Sequence, residues 1–460
     1  MLGNKHCSTL ICCVASLVLA GQAANVRAEK YSLTHEGSSG DASQVEVLLE
    51  VGGDLSLKDE KEKRVQNLKM SVVGTMVYDE RMLSEPVDAA WRGVRQYRRC
   101  EAVIKIDKGT TKPRLRDERR MVALSGDKAA TTMFSLGGPL TREELDLLEV
   151  PACSLLIERL LPDKPVAPGD HWQHADDLVA ALLNLDAVSA TNVSTTFKDA
   201  TTAAAQLEIS GTVRGATGGI ATEMELKGRY KFDLSQRRIT WFALLVKEKR
   251  GIGSVAPGVD VTARLQMKIT PHSTSPELSD EALAGVSLEP GPEAMLLEYE
   301  SSQGRFKFLH DRTWHVVSET PKSVALRFID RGELVAQCNI SALAPVQPGK
   351  RFTLAKFQED VQQSLGEHFG QFTAAGESTG SGGHHTCKVI ATGVVEQLPI
   401  QWNYYLVADA QGNQVVLAFT MESDLVERFA RQDESLLATV ELLDIPAETA
   451  AQPTLAPERR

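Results

Sequence analysis

Glu223-Met224-Glu225-Leu226-Lys227-Gly228-Arg229-Tyr230-Lys231-Phe232 alternates charged residues with apolar residues or glycine, without a break. A period of two marks a β-strand with one wet face and one buried face. The alternation recurs in Leu207-Ile209 with Val213, in Ile239-Trp241-Ala243-Leu245 and in Val261-Ala263-Leu265-Met267-Ile269. Turn-forming stretches at 215–219, 233–237 and 251–258 separate the four, which predicts an antiparallel meander.

Upstream, further strands are expected at Val45-Val47-Leu49-Val51, 69–78, 100–106 and 116–124, with Cys100 on the apolar phase of Ala102, Ile104 and Ile106. Three helices interrupt them. Thr141-Arg142-Glu143-Glu144 has capping-box spacing and opens one through Leu148. Residues 176–185 place Leu178, Val179, Leu182 and Leu183 at helical spacing, and 86–99 is the third candidate. A long one-sided sheet has to cover its apolar face, and these helices are its lid. A tight lid makes a core, whereas a loose one leaves a pocket for an apolar ligand. In that general plan the chain resembles bacterial lipoprotein carriers, whose half-barrel cradles lipid.

Arg92, Arg95 and Arg99 share one side of the 86–99 helix, with Arg114, Arg116, Arg119 and Arg120 close behind. They suit an anion, or, with Asp117 and Glu118 interleaved, a set of paired surface charges. Pro168-Gly169-Asp170-His171-Trp172 reads as a turn that buries Trp172; His171 and His174 alone are too few to hold a metal. The order Tyr78-Asp79-Glu80-Arg81, Leu161-Pro162-Asp163-Lys164-Pro165, Gly169-Asp170-His171-Trp172 is similar to that of uncharacterised secreted bacterial proteins.

Both periods fail from Pro271-His272-Ser273-Thr274-Ser275-Pro276 to Pro290-Gly291-Pro292, so this stretch reads as a linker with at most a short helix near 278–284. At 460 residues the chain is long enough for two domains. The division is 1–28 signal peptide, 29–270 β-rich module, 271–294 linker, 295–445 second module and 446–460 disordered tail. The fold class is α+β.

The second module opens with a strand at Phe306-Lys307-Phe308, turns at Asp311-Arg312-Thr313-Trp314 and continues through His315-Val316-Val317, Val324-Leu326-Phe328 and Leu334-Ala336-Cys338-Ile340. Leu354, Phe357, Val361, Leu365 and Phe369 then give a long amphipathic helix after Pro348-Gly349. Strands follow at 388–395, 400–407 and 414–420, and a last helix carries Phe429, Leu436, Val440 and Leu443. This order, with Phe306, Phe308 and Trp314, resembles the PsbP-like fold, an antiparallel sheet sandwiched between helices in an α/β/α arrangement. Its members include photosynthetic subunits and a Ran-GTPase release factor, so the resemblance implies a binding or scaffold module.

Three of the seven cysteines, Cys7, Cys12 and Cys13, precede residue 29. Cys100 and Cys153 could pair in the first module and Cys338 and Cys387 in the second. Gly383-His384-His385-Thr386-Cys387 is the best candidate for metal chemistry, since His385 and Cys387 share a strand phase while His384 diverges. Cys338 is a possible third ligand.

Lys5, the apolar run from Leu10 to Ala20 and Val26-Arg27-Ala28 compose a secretory leader, which predicts export to the periplasm or the extracellular space. The apolar run is too short to span a bilayer, and no other membrane segment is expected. The net charge of −11, more negative once Lys5 and Arg27 leave, argues against a nucleic-acid partner. No nucleophile elbow, phosphate-binding loop, His-Glu-x-x-His or Cys-x-x-Cys motif occurs, so no catalytic residue and no cofactor is assigned. The expectation is an exported, non-enzymatic envelope protein that binds an unknown protein. The alternatives are a carrier of an apolar small molecule in the first module, and a metal-dependent enzyme using His385 and Cys387.

Overall fold

The computed structural model describes residues 29–443 except 36–40, 60–63, 88–89, 128–129, 273–274, 304, 322, 348–351 and 380–382. The leader, the tail and Pro348-Gly349 lie outside the described residues. The chain is mostly antiparallel sheet. A 13-stranded sheet takes the N-terminal part. Its strands lie in the order Ala130–Ser135, Met121–Asp127, Ala90–Ile106, Arg64–Val87, Ala42–Asp59, Gly258–His272, Arg238–Arg250, Ile220–Asp233, Ala204–Thr217, Ser194–Ala200 and His171–Gln173. Gly109–Thr111 pairs beside Ala90–Ile106, and Ala187–Thr191 beside Ala204–Thr217.

The four alternating stretches form consecutive antiparallel partners, with Tyr230 opposite Leu207 on one side and Phe242 on the other. Tyr230, Phe232 and Phe242 are fully buried. Their inner face is covered by the segment that follows strand Ala130–Ser135. Helix Arg142–Leu148 carries the expected capping box, with Thr141 Oγ1 accepting from Glu144 N at 3.2 Å and Glu144 Oε2 accepting from Thr141 N at 2.9 Å. A 3₁₀ turn at Ile157–Leu160 and helix Asp176–Leu183 follow, the latter ended by Asn184 in the left-handed conformation. Leu145, Leu148, Leu156, Ile157, Leu160 and Val179 fill the space under the sheet and are essentially unexposed. Each such side chain contributes about 1.5–3 kcal/mol by leaving water. The lid is tight, and the space beneath the sheet is a packed core.

Residues 86–99 are not a helix. Residues 86–87 end strand Arg64–Val87 and 90–99 open strand Ala90–Ile106, where Trp91, Gly93, Arg95 and Tyr97 point inward at every second position. An arginine at an inward position disguised the period of two, because the arginine spacing also fits a helix. Arg95 is buried. Its Nε donates to Glu80 Oε2 at 3.2 Å, its Nη1 to Tyr97 Oη at 3.3 Å and its Nη2 to Ser154 Oγ at 3.0 Å and Cys153 Sγ at 3.2 Å. The guanidinium also lies 4.5 Å from the centre of the Tyr78 ring. One cation therefore ties the covering segment to two neighbouring strands.

The stretch 271–294 is not a free tether. Strand Gly258–His272 runs into it, and Leu278, in the 3₁₀ turn Pro276–Leu278, is buried. Arg81 donates to Leu278 O at 2.7 Å and pairs with Asp280 at 2.6 Å, while Ser275 Oγ donates to Asp79 at 3.3 Å. The one α-helical turn here is Asp280–Leu283. Residues 116–124 also differ, since a 3₁₀ turn at Asp117–Arg119 precedes strand Met121–Asp127.

Beyond it a seven-stranded sheet runs Trp314–Glu319, Ser323–Asp330, Glu333–Ala342, Gln414–Glu422, Leu398–Ala408, His385–Val395 and Phe369–Thr379. Helix Leu354–Leu365 lays Phe357, Val361 and Leu365 on one face, against Val389, Ala391 and Trp402. Phe429 and Leu436 cover the other, around Trp314 and Phe419. Three readings are corrected. Phe306–His310 joins a separate three-stranded sheet with Leu297–Glu300 and Glu441–Leu442. Phe369 opens an unanticipated edge strand. The final helix breaks at Ala430 (φ 54°) into Val426–Phe429 and Gln432–Leu437.

The two sheet systems dock directly. Leu297 belongs to the first core and bridges Leu140, whose carbonyl accepts from Glu298 N at 2.8 Å. Arg116 holds Glu144 and, at 2.9 Å, Glu298. Arg312 donates to Met133 O at 2.6 Å and Arg142 to Arg312 O at 2.5 Å. The turns at Gly219 and Gly332 touch so closely that a Cβ on Gly219 would meet Gly332 Cα at 2.3 Å.

Cys100, Cys153, Cys338 and Cys387 are all buried free thiols, so neither of the two possible pairs is bridged here. Cys338 packs with the Trp314 cluster and Cys387 with the helix Leu354–Leu365 cluster, on opposite faces of the same sheet. They can neither bond nor share an ion. Cys153 is instead engaged by Arg95, and burial pushes the Cys100 thiol up to about 12. A thiol-specific reagent should titrate all four in denatured, unreduced 29–460 protein; a count of two or none would restore a bridge. Arg95→Ala should cost about 3–5 kcal/mol, because it strands the buried Glu80 carboxylate. Arg95→Met with Glu80→Gln should cost less in the same denaturant melts, and equal losses would locate the effect in packing alone.

Candidate functional site

Where the covering segment leaves the core at Leu160, residues 161–163 cross the end of the large sheet and leave a pocket of about 440 Å³. Ser154, Glu158, Asp163, Glu80, Arg238 and Ile269 line it. Glu158 comes from the 3₁₀ turn Ile157–Leu160 and Arg238 from the first residue of its strand. Glu158 Oε1 accepts from Ile239 N at 2.9 Å and lies 3.6 Å from His35 Nδ1. Its Oε2 is buried and has no hydrogen-bond partner among the described residues, and neither has Arg238 Nε. Burial pushes the Glu158 carboxyl up to about 7, against the opposing pull of the Ile239 N–H and the Arg238 charge. Two residues that line the pocket, Glu158 and Arg238, thus each carry a buried, unsatisfied polar atom, and its volume suits a small molecule.

The floor is the Arg95 network. Ser154 Oγ donates to Glu80 Oε2 at 2.5 Å and contacts the Tyr78 hydroxyl at 3.0 Å. A serine beside a carboxylate suggests a nucleophile and its base. Here the carboxylate is already paired with Arg95, and the serine joins the contacts that hold the covering segment to the strands.

A second cluster lies on the edge of the seven-stranded sheet. Glu377 and Cys387 are cross-strand partners, and His385 lies two residues before Cys387 on the same face. His385 Nε2 is 3.6 Å from Cys387 Sγ and 3.9 Å from Glu377 Oε2, and the three ligand atoms lie within 4.8 Å of one another. Among the described residues this is the one group of three or more His, Cys, Asp and Glu side chains with such geometry. Glu377 Oε1 accepts from Leu354 N at 2.8 Å, at the start of helix Leu354–Leu365. Cys387 is buried, His385 half-buried and Glu377 exposed. Glu377 escaped the sequence because the helical spacing was carried through to Phe369, past Gly366 (φ 54°), where the helix ends before the strand that holds Glu377.

The remaining candidates disperse. Arg92 pairs with Glu289, Arg99 with Glu101, Arg116 with Glu144 and Glu298, and Arg120 with Asp117. Arg119 is held by Gly137 O and Pro139 O. His171 is exposed, whereas His174 bonds to Thr195 Oγ1 at 2.9 Å and is lowered to about 4 by burial. Trp172 is partly buried and donates to Leu160 O at 2.9 Å. His310 bonds to Asp311 O, and burial lowers His315 to about 4. Among the described residues no helix is long and apolar enough to cross a membrane.

Neither a family profile nor a curated protein matches the chain. Among solved structures it is similar to cyanobacterial PsbP (CyanoP) from Synechocystis sp. PCC 6803, at 13% identity and TM-score 0.27, over 34% of this chain and 97% of that one. It is also similar to the Saccharomyces cerevisiae Ran-binding protein Mog1p, at 14% identity and TM-score 0.26, over 32% and 96%. A lipovitellin structure matches at 8% identity and TM-score 0.30, over 52% of this chain and 26% of that one.

Because the folded Glu158 carboxyl titrates near 7 rather than 4.5, the folded state holds its proton through a window in which the unfolded chain has lost it. The stability it contributes is present below about pH 4.5 and is lost as the pH rises through about 7; at about 1.4 kcal/mol per pH unit this reaches about 3 kcal/mol. Glu158→Gln should keep the Ile239 contact and flatten that slope in urea melts between about pH 5 and pH 8. An unchanged slope would place the titration elsewhere.

Proposed function

We propose that this chain is an exported, non-enzymatic binding protein of the cell envelope. Its N-terminal β-rich module, 29–270, docks through 271–294 onto a PsbP-like α/β/α module, 295–445. Its ligand seat is the pocket at the end of the large sheet. The observation that carries this reading is that Glu158 and Arg238, each with an orphaned buried polar atom (Oε2 and Nε), both line one small pocket. A buried carboxylate oxygen without a donor costs about 1–3 kcal/mol or more, and a ligand that supplies the donor recovers it. A compound with an amine for Glu158 and an acceptor for Arg238 satisfies both, which favours a free amino acid or a short peptide. The filled core beneath the sheet favours this polar seat over an apolar carrier. The leader-like pattern of Lys5, Leu10 to Ala20 and Val26-Arg27-Ala28 supports export.

Thermal melts of 29–460 protein against the free amino acids and a dipeptide set should reveal at least one compound that raises the midpoint, as expected for a ligand that binds only the folded state. Glu158→Gln and Arg238→Gln should each abolish that shift. A panel without a hit, or a hit indifferent to both substitutions, would overturn this assignment of the seat.

A further inference from the structure

We propose that Glu377, His385 and Cys387 form a three-ligand site for Zn²⁺, separate from the pocket in the first sheet. The donor set is a carboxylate oxygen, an imidazole nitrogen and a thiolate sulfur, a mixture that suits this borderline ion better than Mg²⁺ or Ca²⁺, which prefer oxygen alone. Ligand atoms about 2.0–2.3 Å from a common tetrahedral ion stand roughly 3.3–3.6 Å apart. The Cys387 Sγ to His385 Nε2 distance of 3.6 Å already falls in that range, and the 3.9 Å from His385 Nε2 to Glu377 Oε2 needs only a small side-chain adjustment.

The backbone presets the arrangement. Glu377 and Cys387 are fixed opposite each other by the pairing of Phe369–Thr379 with His385–Val395, and the strand period puts His385 on their face. Glu377 Oε1 is held by the Leu354 N–H, which leaves Oε2 directed at the imidazole. Ligating carboxylates are commonly oriented by such a bond. Cys338 lies on the other face of the sheet and takes no part. The exposed side of Glu377 leaves the fourth position to water, or to a donor from a partner. Binding converts the Cys387 thiol to thiolate and releases its proton to solvent.

The competing account treats the Cys387–His385 contact as an ordinary hydrogen bond and Glu377 as a helix cap; the two accounts differ in what the folded protein does with metal alone. Metal-free 29–460 protein is titrated with Zn²⁺ against a chromophoric chelator, and separately with Co²⁺. One Zn²⁺ per chain is expected, with a thiolate-to-cobalt charge-transfer band on Co²⁺ loading. Cys387→Ser should abolish the band. Glu377→Gln, which can still accept from Leu354 N, should weaken Zn²⁺ binding by more than the about 10–100-fold that a merely orienting residue costs. Circular dichroism of Glu377→Gln checks that the fold survives. No stoichiometric Zn²⁺, a Co²⁺ spectrum without the thiolate band, or full affinity in folded Glu377→Gln would each overturn the site.

Discussion

The burial of Arg95 inside the large sheet is the constraint on which the N-terminal architecture rests. A guanidinium removed from water must be matched by a charge and by acceptors, or the fold loses several kcal/mol. Glu80 supplies the charge from the neighbouring strand, and Cys153 and Ser154 supply acceptors from the covering segment. Hydrophobic burial alone would let that segment slide over an inner face made of similar apolar side chains. The polar contacts allow one placement. They fix residues 153–154 over strand Ala90–Ile106, and four residues later Glu158 meets the first residues of Arg238–Arg250. The position of the pocket follows from where the arginine anchors the lid.

The same anchoring explains what could be read from the sequence and what could not. The meander from Leu207 to Ile269 was legible because most inward positions are apolar or glycine and every turn carries glycine or aspartate; past Ile239, however, a register shift at Lys231 and Phe232 buries Phe242, Leu244 and Val246 in place of the expected Trp241, Ala243 and Leu245. The capping box at Thr141 was equally legible, since its partners are three residues apart. Residues 86–99 failed for the opposite reason: their strand carries Arg95 inward, and the charge is acceptable only because of Glu80 and Ser154, which sequence order cannot bring near. The linker reading foresaw the short helix but not the contacts of 271–294, since Arg81, which donates to Leu278 O, lies some 200 residues upstream (|i−j| = 197). Pro276, which interrupts both periods in the sequence, opens a 3₁₀ turn in the structure.

Site residues divide along the same line. His385 and Cys387 are two apart on one strand, so a local rule was enough to put them on one face. Glu377 needed the pairing of an unrecognised edge strand, and Glu158 with Arg238 needed the tertiary fold of the whole first sheet. Cys338 was proposed as a partner on chemistry alone, and the two faces of the sheet exclude it. Local periodicity finds ligands that share an element; convergent ligands on different elements require the topology.

Geometry also bears on whether the two sites communicate. Arg238, at the pocket, begins a 13-residue strand whose far end leads into the turn where Ser254 O accepts from Arg327 of the second sheet system at 2.7 Å. At about 3.3 Å per residue those ends are roughly 40 Å apart. A strand hydrogen-bonded on both sides does not translate without its neighbours, and the docking contacts include a main-chain bond from Glu298 N to Leu140 O, the Arg116–Glu298 ion pair and a bond from the Arg312 side chain to Met133 O. Coupling over such a distance needs an element with two discrete arrangements. The two cores are instead close-packed around the buried Tyr230, Phe242, Trp314 and Phe419. Occupancy of the pocket and of the Glu377–His385–Cys387 cluster is therefore expected to be additive, with neither ligand altering the affinity for the other.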